Sequence, residues 1–252
     1  MSVRVGVVVF PGSNCDTDTE HGLRIAGAEP VALWHESPDL AGVAAVVLPG
    51  GFAYGDYLRA GALARFSPVM RAVTALAGEG GLVLGICNGF QVLAEAGLVP
   101  GALLRNRSLR FVCRDVLIAP SRLDSPFTSA MAEARPLRMP IAHGEGCYVA
   151  DDATLDALEA DGRVLFRYVR ADGTPAVDPA DPANPNGSLR AIAGVSNAAG
   201  NVAGLMPHPE RAAEGILGSA DGLEILRSLV RSAAARDAGA TQATVVVAEA
   251  TR

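Results

Sequence analysis

The sequence predicts an α/β fold: a doubly wound, mainly parallel sheet flanked by helices, with additional antiparallel strands in the second half of the chain. In the N-terminal half, short apolar runs rich in β-branched residues alternate with segments of helical periodicity, as in parallel strands joined by helical crossovers. In the C-terminal half, strand-like runs follow one another with few helical segments between them, which favours antiparallel pairing. The 252 residues, half of them hydrophobic, are enough for one large core.

The elements of the N-terminal half can be assigned in order. Residues 3–10 form an almost continuous apolar run, as expected of a strand that is buried on both faces. A Pro-Gly-Ser-Asn sequence at 11–14 ends this strand, and Ser13 or Asn14 is expected to cap a helix that ends near Gly27. Further strands are predicted at 30–34, 43–48 and 82–86, and further helices at 62–76 and 88–96.

The C-terminal half contains more strands, a long loop and a closing helix. The loop at 171–187 is rich in Pro, Asp and Asn, and a loop of this length in a compact domain is either disordered or functional. An amphipathic helix is predicted at 221–235, and the Ala/Thr-rich residues 236–252 are expected to be a flexible tail. The chain is therefore predicted to be a single domain of residues 1–235 with that tail. Strands are predicted at 110–118, 139–149, 163–169, 189–196 and 202–206.

Composition and charge argue against several functional classes. The net charge is −6 and the 21 basic residues are scattered, so the chain lacks the basic patch of a nucleic-acid-binding protein. The four cysteines lie far apart without a C-x-x-C pair, which argues against a disulfide framework and a zinc site, and no metal ligands are predicted. Neither a signal peptide nor a membrane-spanning run is recognisable, so a cytoplasmic location without membrane contact is expected.

The strongest signal for chemistry lies within residues 81–97. An apolar run ends at Cys87, helical spacing begins at Asn88, and Gly85 and Gly89 stand two residues before and after the cysteine. This is the spacing of a nucleophile elbow, a tight strand-to-helix turn whose backbone passes too close to its neighbours for a Cβ beside the reactive residue. At a helix N-terminus, unpaired N–H groups favour the thiolate form. The simpler interpretation is a small buried cysteine of the core.

A second signal lies at residues 206–210, Met-Pro-His-Pro-Glu. Pro209 restricts His208 to an extended backbone, and residues two apart in extended chain project to the same side, so His208 and Glu210 are expected to face one way. A carboxylate beside an imidazole fixes its tautomer and stabilises the imidazolium. Cys87, His208 and Glu210 are therefore candidate members of a catalytic triad, although a lone histidine or glutamate of this kind is more often a structural residue.

These motifs resemble those of class I glutamine amidotransferases, a family with a flavodoxin-like fold. The marks of the whole class are Pro49-Gly50-Gly51, the elbow at 85–91, and residues 206–210. Further motifs are similar to those of the glutaminase subunits that serve phosphoribosylformylglycinamidine synthases. They lie at 10–16, 50–56, 88–91, 105–111, 143–146 and 184–188. The resemblance covers roughly residues 3–229; the Ala/Thr-rich tail and Cys147, where a more polar residue is expected, depart from it.

The resemblance implies a reaction and a role for each site residue. Cys87 attacks the side-chain carboxamide of L-glutamine, His208 protonates the departing ammonia and later activates water to hydrolyse the γ-glutamyl thioester, and Glu210 orients His208. The backbone N–H groups of Gly51 and Asn88 are implied to hold the oxyanion. The substrate-binding candidates are Gln91, at the amino-acid end of glutamine, and, at the pocket wall, Phe52, Asn106 and His143. His143 is also the one competitor to His208, but no proline sets the geometry of its neighbour Glu145.

The chemistry also implies partners. Free ammonia in water is mostly protonated and unreactive, so an amidotransferase needs a synthetase site reached by a sheltered path. The chain contains no G-x-x-x-x-G-K-[ST] sequence or other phosphate loop, so no cofactor is expected on it, and ATP and Mg²⁺ are expected on the partner. The resemblance implies a large synthetase subunit that converts formylglycinamide ribonucleotide to formylglycinamidine ribonucleotide in purine biosynthesis, often with a small accessory subunit. Residues 105–110 and 171–188 are candidate docking segments.

Three alternatives stay open at the level of sequence. The same chemistry could serve another synthetase, such as one that makes an aminated nucleotide or an amino-acid precursor. The fold could carry a non-catalytic binding or regulatory module, although such proteins lack the paired His208 and Glu210. The triad could also belong to a thiol hydrolase or protease with a different substrate.

Overall fold

The computed structural model describes residues 2–250 of the chain, with the side chains of residues 2–239. In this part of the chain the helices are α1 (Asp16–Ile25), α2 (Pro68–Gly78), α3 (Asn88–Glu95), α4 (Asp152–Ala160) and α5 (Leu223–Ala250). The first strands are β1 (Arg4–Val9), β2 (Glu29–Trp34), β3 (Ala45–Leu48), β4 (Leu82–Ile86) and β5 (Ala102–Leu104). They are followed by β6 (Val112–Pro120), β7 (Leu137–His143), β8 (Cys147–Val149), β9 (Val164–Tyr168), β10 (Ile192–Ser196) and β11 (Val202–Leu205).

One mixed sheet organises the molecule, with the strand order β2-β1-β3-β4-β11-β10-β9-β6-β7. The strands from β2 to β11 in this order are parallel, and the pairs from β11 to β7 are antiparallel. Strands β5 and β8 form a separate antiparallel pair. The fold class predicted from the sequence is therefore confirmed, including the antiparallel strands of the second half.

The two strands at the centre of the parallel half, β3 and β4, are buried along their whole length. Every residue of β3 and of β4 is buried. Helix α1 packs on β1, β2 and α5, and helix α3 packs on β3, β4 and β11. Apolar residues along the whole length of β3 and β4 are thus explained by burial of both faces of the sheet, as in doubly wound folds.

Several predicted bounds are wrong, and so is one predicted helix cap. The helix predicted at 62–76 begins at Pro68, because Ser67 is extended (ψ 143°) and proline is favoured at the first helical position. The strand predicted at 139–149 is interrupted at 144–146, and its two parts belong to different sheets. Neither Ser13 nor Asn14 caps α1, whose N-cap position is Cys15 and has no side-chain cap bond. The Ser13 hydroxyl instead accepts the Phe10 N–H (3.1 Å), and Ser13 bridges Gly51.

The closing helix is longer than the one predicted at 221–235. Helix α5 runs from Leu223 to Ala250 and so includes most of the segment that the sequence predicts as a flexible tail. The last two residues of that tail, 251 and 252, lie outside the described residues, and the division of the chain at residue 235 stays a prediction. None of the helices in the described part of the chain has the length and hydropathy needed to cross a membrane.

Candidate active site

Three signals from distant parts of the sequence meet at one edge of the sheet. Cys87 follows β4, Gly50 and Gly51 follow β3, and His208 lies just beyond β11. Strands β3, β4 and β11 are neighbours and run parallel, so their carboxyl ends lie side by side. This is the edge at which open α/β sheets carry their sites.

Cys87 occupies a strained turn between β4 and α3. Its backbone has φ 49° and ψ −105°, and its N–H donates to the carbonyl of Leu205 over 2.8 Å. A Cβ on Gly89 would lie 1.9 Å from the carbonyl oxygen of Leu48, and one on Gly85 would lie 2.7 Å from the backbone of Gly89. The glycines are therefore needed for close backbone approach, as the elbow interpretation predicts. Non-glycine residues held at such angles cluster at functional sites.

The His208–Glu210 pair is buried and directly bonded. The two residues are 2% and 1% exposed, and Nδ1 of His208 lies 2.6 Å from Oε1 of Glu210. His208 has the extended backbone that Pro209 predicts (φ −102°, ψ 92°), and its N–H donates to Pro140. Glu210, however, lies in a 3-10 turn, Pro209–Ala212, so a turn and not the alternation of an extended chain brings the carboxylate to the imidazole.

The charges around His208 favour the imidazolium. Burial lowers the pKa of this imidazole, but the negative charges of Glu210 and Cys87 raise the pKa by more, and it lies well above its usual value. Nε2 of His208 has no hydrogen-bond partner among the described residues. The protonated ring is thus favoured, Nδ1 holds its orientation, and Nε2 is placed to donate a proton.

The Gly-Gly strand end lets the chain pass close to this imidazole. A Cβ on Gly50 would lie 2.7 Å from Cε1 of His208. Gly51 has φ 140°, where a side chain is strained, and its Cβ would lie 2.8 Å from the backbone nitrogen of Asn14. Both positions therefore require glycine. Asn88 begins α3, where first-turn N–H groups lack intrahelical acceptors, so its N–H can serve an anion beside Cys87.

A cavity of about 170 Å³ opens beside Cys87. Of the residues predicted to touch substrate, Phe52, Gln91 and His143 line it, as does Gly51 of the predicted oxyanion hole. Asn106 does not: it is fully buried behind the wall, where it donates to the carbonyl of His143 (2.8 Å) and accepts from the N–H of Gly146 (3.0 Å). Its position indicates that it supports the turn at 144–146.

His143 is a neutral member of the wall. Burial and the charge of His208 lower its pKa to about 3. Its Nε2 lies 3.2 Å from Nδ2 of Asn186, whose Oδ1 accepts from the Ser188 hydroxyl (2.7 Å). Since the amide nitrogen faces the ring, Nε2 accepts and Nδ1 carries the proton. The loop at 171–187 thus contributes buried residues to the wall behind the cavity, and is not simply a solvated connection.

Sequence reasoning assigned no role to three residues that the structure places here. Asp56 and Glu145 line the cavity, and Cys15 is buried beside the acid–base pair. Cys15, His208 and Glu210 each place one ligand atom within 4.8 Å of the others, but Arg211 donates to the Cys15 sulfur (3.1 Å), and its positive charge opposes a cation there. The sequence did contain a signal for these residues, because Cys15, Asp56 and Glu145 all lie in motifs that carry the family resemblance.

The chain was also compared with known proteins. Residues 2–221 match the family of CobB/CobQ-like glutamine amidotransferase domains. The chain is 58% identical over 231 residues to phosphoribosylformylglycinamidine synthase subunit PurQ of Rubrobacter xylanophilus, which covers 92% of this chain and 99% of the relative. It is 54% identical over 231 residues to the PurQ subunit of Salinibacter ruber, with 91% and 97% covered. Among solved structures, PurLQS from Thermotoga maritima matches with a TM-score of 0.79 and 43% identity, covering 92% of this chain and 99% of that chain.

Proposed function

The chain belongs to the family of CobB/CobQ-like glutamine amidotransferase domains, and we infer its function from that membership. It is the glutaminase subunit of an ATP-dependent phosphoribosylformylglycinamidine synthase and acts in purine biosynthesis. Its substrate is L-glutamine, and its partner is the large synthetase subunit. The family resemblance drawn from the motifs is confirmed, and so is the assignment to this synthase rather than to another.

One observation carries the mechanism: the strained Cys87 and the hydrogen-bonded His208–Glu210 pair lie at the same edge of the sheet. The Cys87 thiolate attacks the carboxamide carbon of glutamine and forms a tetrahedral intermediate. When the C–N bond breaks, the His208 imidazolium gives its proton to the departing ammonia and leaves a γ-glutamyl thioester. The neutral imidazole then takes a proton from water, which attacks the thioester and releases glutamate and the thiolate.

The other site residues take their roles from where they lie around Cys87. The N–H groups of Gly51 and Asn88 stabilise the oxyanion, since they lie at the two strand ends that flank the thiol. Glu210 holds His208 through Nδ1 and stabilises its charged form. Gln91, Phe52 and His143 contact the substrate from the cavity wall.

The subunit works with other subunits that carry the cofactors. ATP and Mg²⁺ bind to the partner synthetase subunit, because the sequence of this chain offers no phosphate loop. A small accessory subunit joins the complex, and the complex works in the cytoplasm. The family membership and the PurQ relatives support this part of the proposal.

The decisive experiment compares Cys87→Ala with wild type in glutamine hydrolysis, alone and with the large synthetase subunit, its nucleotide substrate, ATP and Mg²⁺. Cys113→Ala is the matched control, since Cys113 is exposed on β6. Activity that is lost in Cys87→Ala, kept in Cys113→Ala and increased by the partner is expected. Glutamine hydrolysis that survives in Cys87→Ala would refute the mechanism.

A further inference from the structure

The cavity beside Cys87 carries acidic groups that the mechanism does not use. Two carboxylate side chains line it, those of Asp56 and Glu145, whereas no Lys or Arg is among the described residues that line it. Both side chains are partly buried, so their charges are not fully solvated. A cavity with this charge favours a cationic group in its occupant.

Asp56 is held toward the cavity by a strained backbone and a specific contact. Its φ is 53°, and Tyr54 (φ 55°) and Leu58 (φ 71°) on either side are also left-handed. Strain of this kind persists where the surrounding structure imposes it, and it concentrates at ligand-binding sites. Nδ2 of Asn88 donates to Oδ1 of Asp56 over 3.2 Å, which fixes the carboxylate beside the nucleophile elbow.

Glu145, unlike Asp56, has a basic side chain nearby that offsets its negative charge. Its Oε1 lies 3.9 Å from Nε of Arg105, a side chain that is 78% exposed, and its Oε2 accepts from the Ala60 N–H (3.4 Å). Asp56 has no basic side chain among its hydrogen-bond or ion-pair partners in the described part of the chain. Asp56 is therefore the carboxylate that most needs a cation from the ligand.

Glutamine supplies such a cation. Its carboxamide must reach Cys87, and its amino-acid end, which carries an ammonium group, must then extend along the cavity past Gln91. Nδ2 of Asn88 bonds both Asp56 (3.2 Å) and Gln91 (2.9 Å), so these two side chains stand together on one wall. A charge-assisted bond from an ammonium group to a carboxylate is among the stronger polar contacts.

We propose that Asp56, with Glu145 beside it, binds the α-ammonium group of L-glutamine and selects glutamine over carboxamides that lack this group. The inference rests on the proposed function of the cavity as the glutamine site. Asp56 is in this view a specificity-determining residue and takes no part in bond breaking.

The test uses the assembled complex with L-glutamine and with glutaramate, which has the same carboxamide and carboxylate but no amino group. Asp56→Asn keeps the shape and the bond from Asn88 but removes the charge, and Asp56→Glu restores the charge. Glu79→Gln is the control, because Glu79 is exposed at the end of α2, at the opposite edge of the sheet.

In Asp56→Asn, we expect the KM for glutamine to rise by about 10- to 100-fold with little change in kcat, and glutaramate hydrolysis to stay as in wild type. The preference for glutamine should return in Asp56→Glu and be unchanged in Glu79→Gln. An equal loss with both substrates, or an unchanged preference in Asp56→Asn, would overturn the proposal. If glutaramate is not hydrolysed by any variant, an unchanged KM for glutamine in Asp56→Asn overturns it. The proposed function fails separately, if wild type hydrolyses no glutamine.

Discussion

The side-chain oxygen of Asn88 accepts a hydrogen bond from the backbone N–H of Ala53 over 3.0 Å. This bond ties the start of helix α3 to the segment that follows β3, so the two backbones that flank the thiol are held together. The amide nitrogen of the same side chain bonds Asp56 and Gln91. Asn88 therefore connects both proposed oxyanion donors to the wall that contacts the substrate.

Replacement of Asn88 by Ala should lower kcat/KM for glutamine by about 10- to 100-fold. The side-chain hydrogen bonds that hold the backbones of the proposed oxyanion donors to each other and to the cavity wall are lost. The replacement should also cost about 1–3 kcal/mol of stability, since the buried Ala53 N–H is left unpaired. Steady-state kinetics and urea unfolding measure the two effects. Asn201→Ala is the control, because Asn201 is buried and bonds Ala77 and Gly81 at the other edge of the sheet. A similar kinetic loss in that variant would contradict the prediction.

Replacement of Glu210 by Gln should lower kcat by at least about a hundredfold, because the His208 imidazolium loses its buried counter-charge and its fixed orientation. The KM for glutamine should change little. Glu214→Gln provides a matched comparison, since Glu214 pairs with His21 at the surface (2.6 Å). That variant should keep kcat within about twofold of wild type, because exposed pairs contribute little. Comparable kcat values for the two variants would contradict the role given to Glu210.

The KM for glutamine should rise as the pH falls below about 6. Burial and the charge of Glu145 raise the pKa of Asp56 to about 6, against the opposing hydrogen bond from Asn88. The carboxylate is ionised above this pH and can hold an ammonium group, and protonation below it removes that charge. About one pH unit below the pKa, where roughly a tenth of the groups remain ionised, KM should be about tenfold higher.

The two histidines near the cavity, His143 and His208, do not add to this pH dependence of KM. The pKa of His143 lies at about 3 and that of His208 well above its usual value, so neither ring changes charge as the pH falls through 6. Initial rates between pH 5 and 8 would show the effect, and Asp56→Asn should remove it. A KM for glutamine that is flat over this range in wild type would refute the assignment.

Replacement of Gly89 by Ala should destabilise the protein by about 3 kcal/mol or prevent folding, because the new Cβ would overlap the carbonyl oxygen of Leu48. Gly78→Ala is the matched control, because Gly78 is also helical and, in the described part of the chain, its new Cβ would meet no atom within 4 Å beyond its chain neighbours and its own helix backbone. Its stability should rise by about 0.5–1 kcal/mol. Urea unfolding midpoints compare the two variants. Equal midpoints would show that the elbow tolerates a side chain.

The fold class and the chemistry of the site can both be inferred from the amino-acid sequence alone. Apolar runs that are buried along their whole length specify central parallel strands, and the glycines around Cys87 specify a turn that only close backbone approach explains. Pro209 sets the extended backbone of His208 by a purely local steric effect. These features could be predicted because their physical causes act between neighbours in the chain.

Which residues form the cavity depends on how distant segments of the folded chain pack together. Cys15 reaches the acid–base pair, Asp56 faces the elbow, and Asn106 lies behind the wall, although all three stand in similar polar motifs. These positions depend on side-chain contacts between segments 30 to 200 residues apart, such as that of Arg211 with Cys15. Hydrogen-bond distances and burial arise only when those segments pack together, because no periodicity or turn propensity of one segment encodes the position of another.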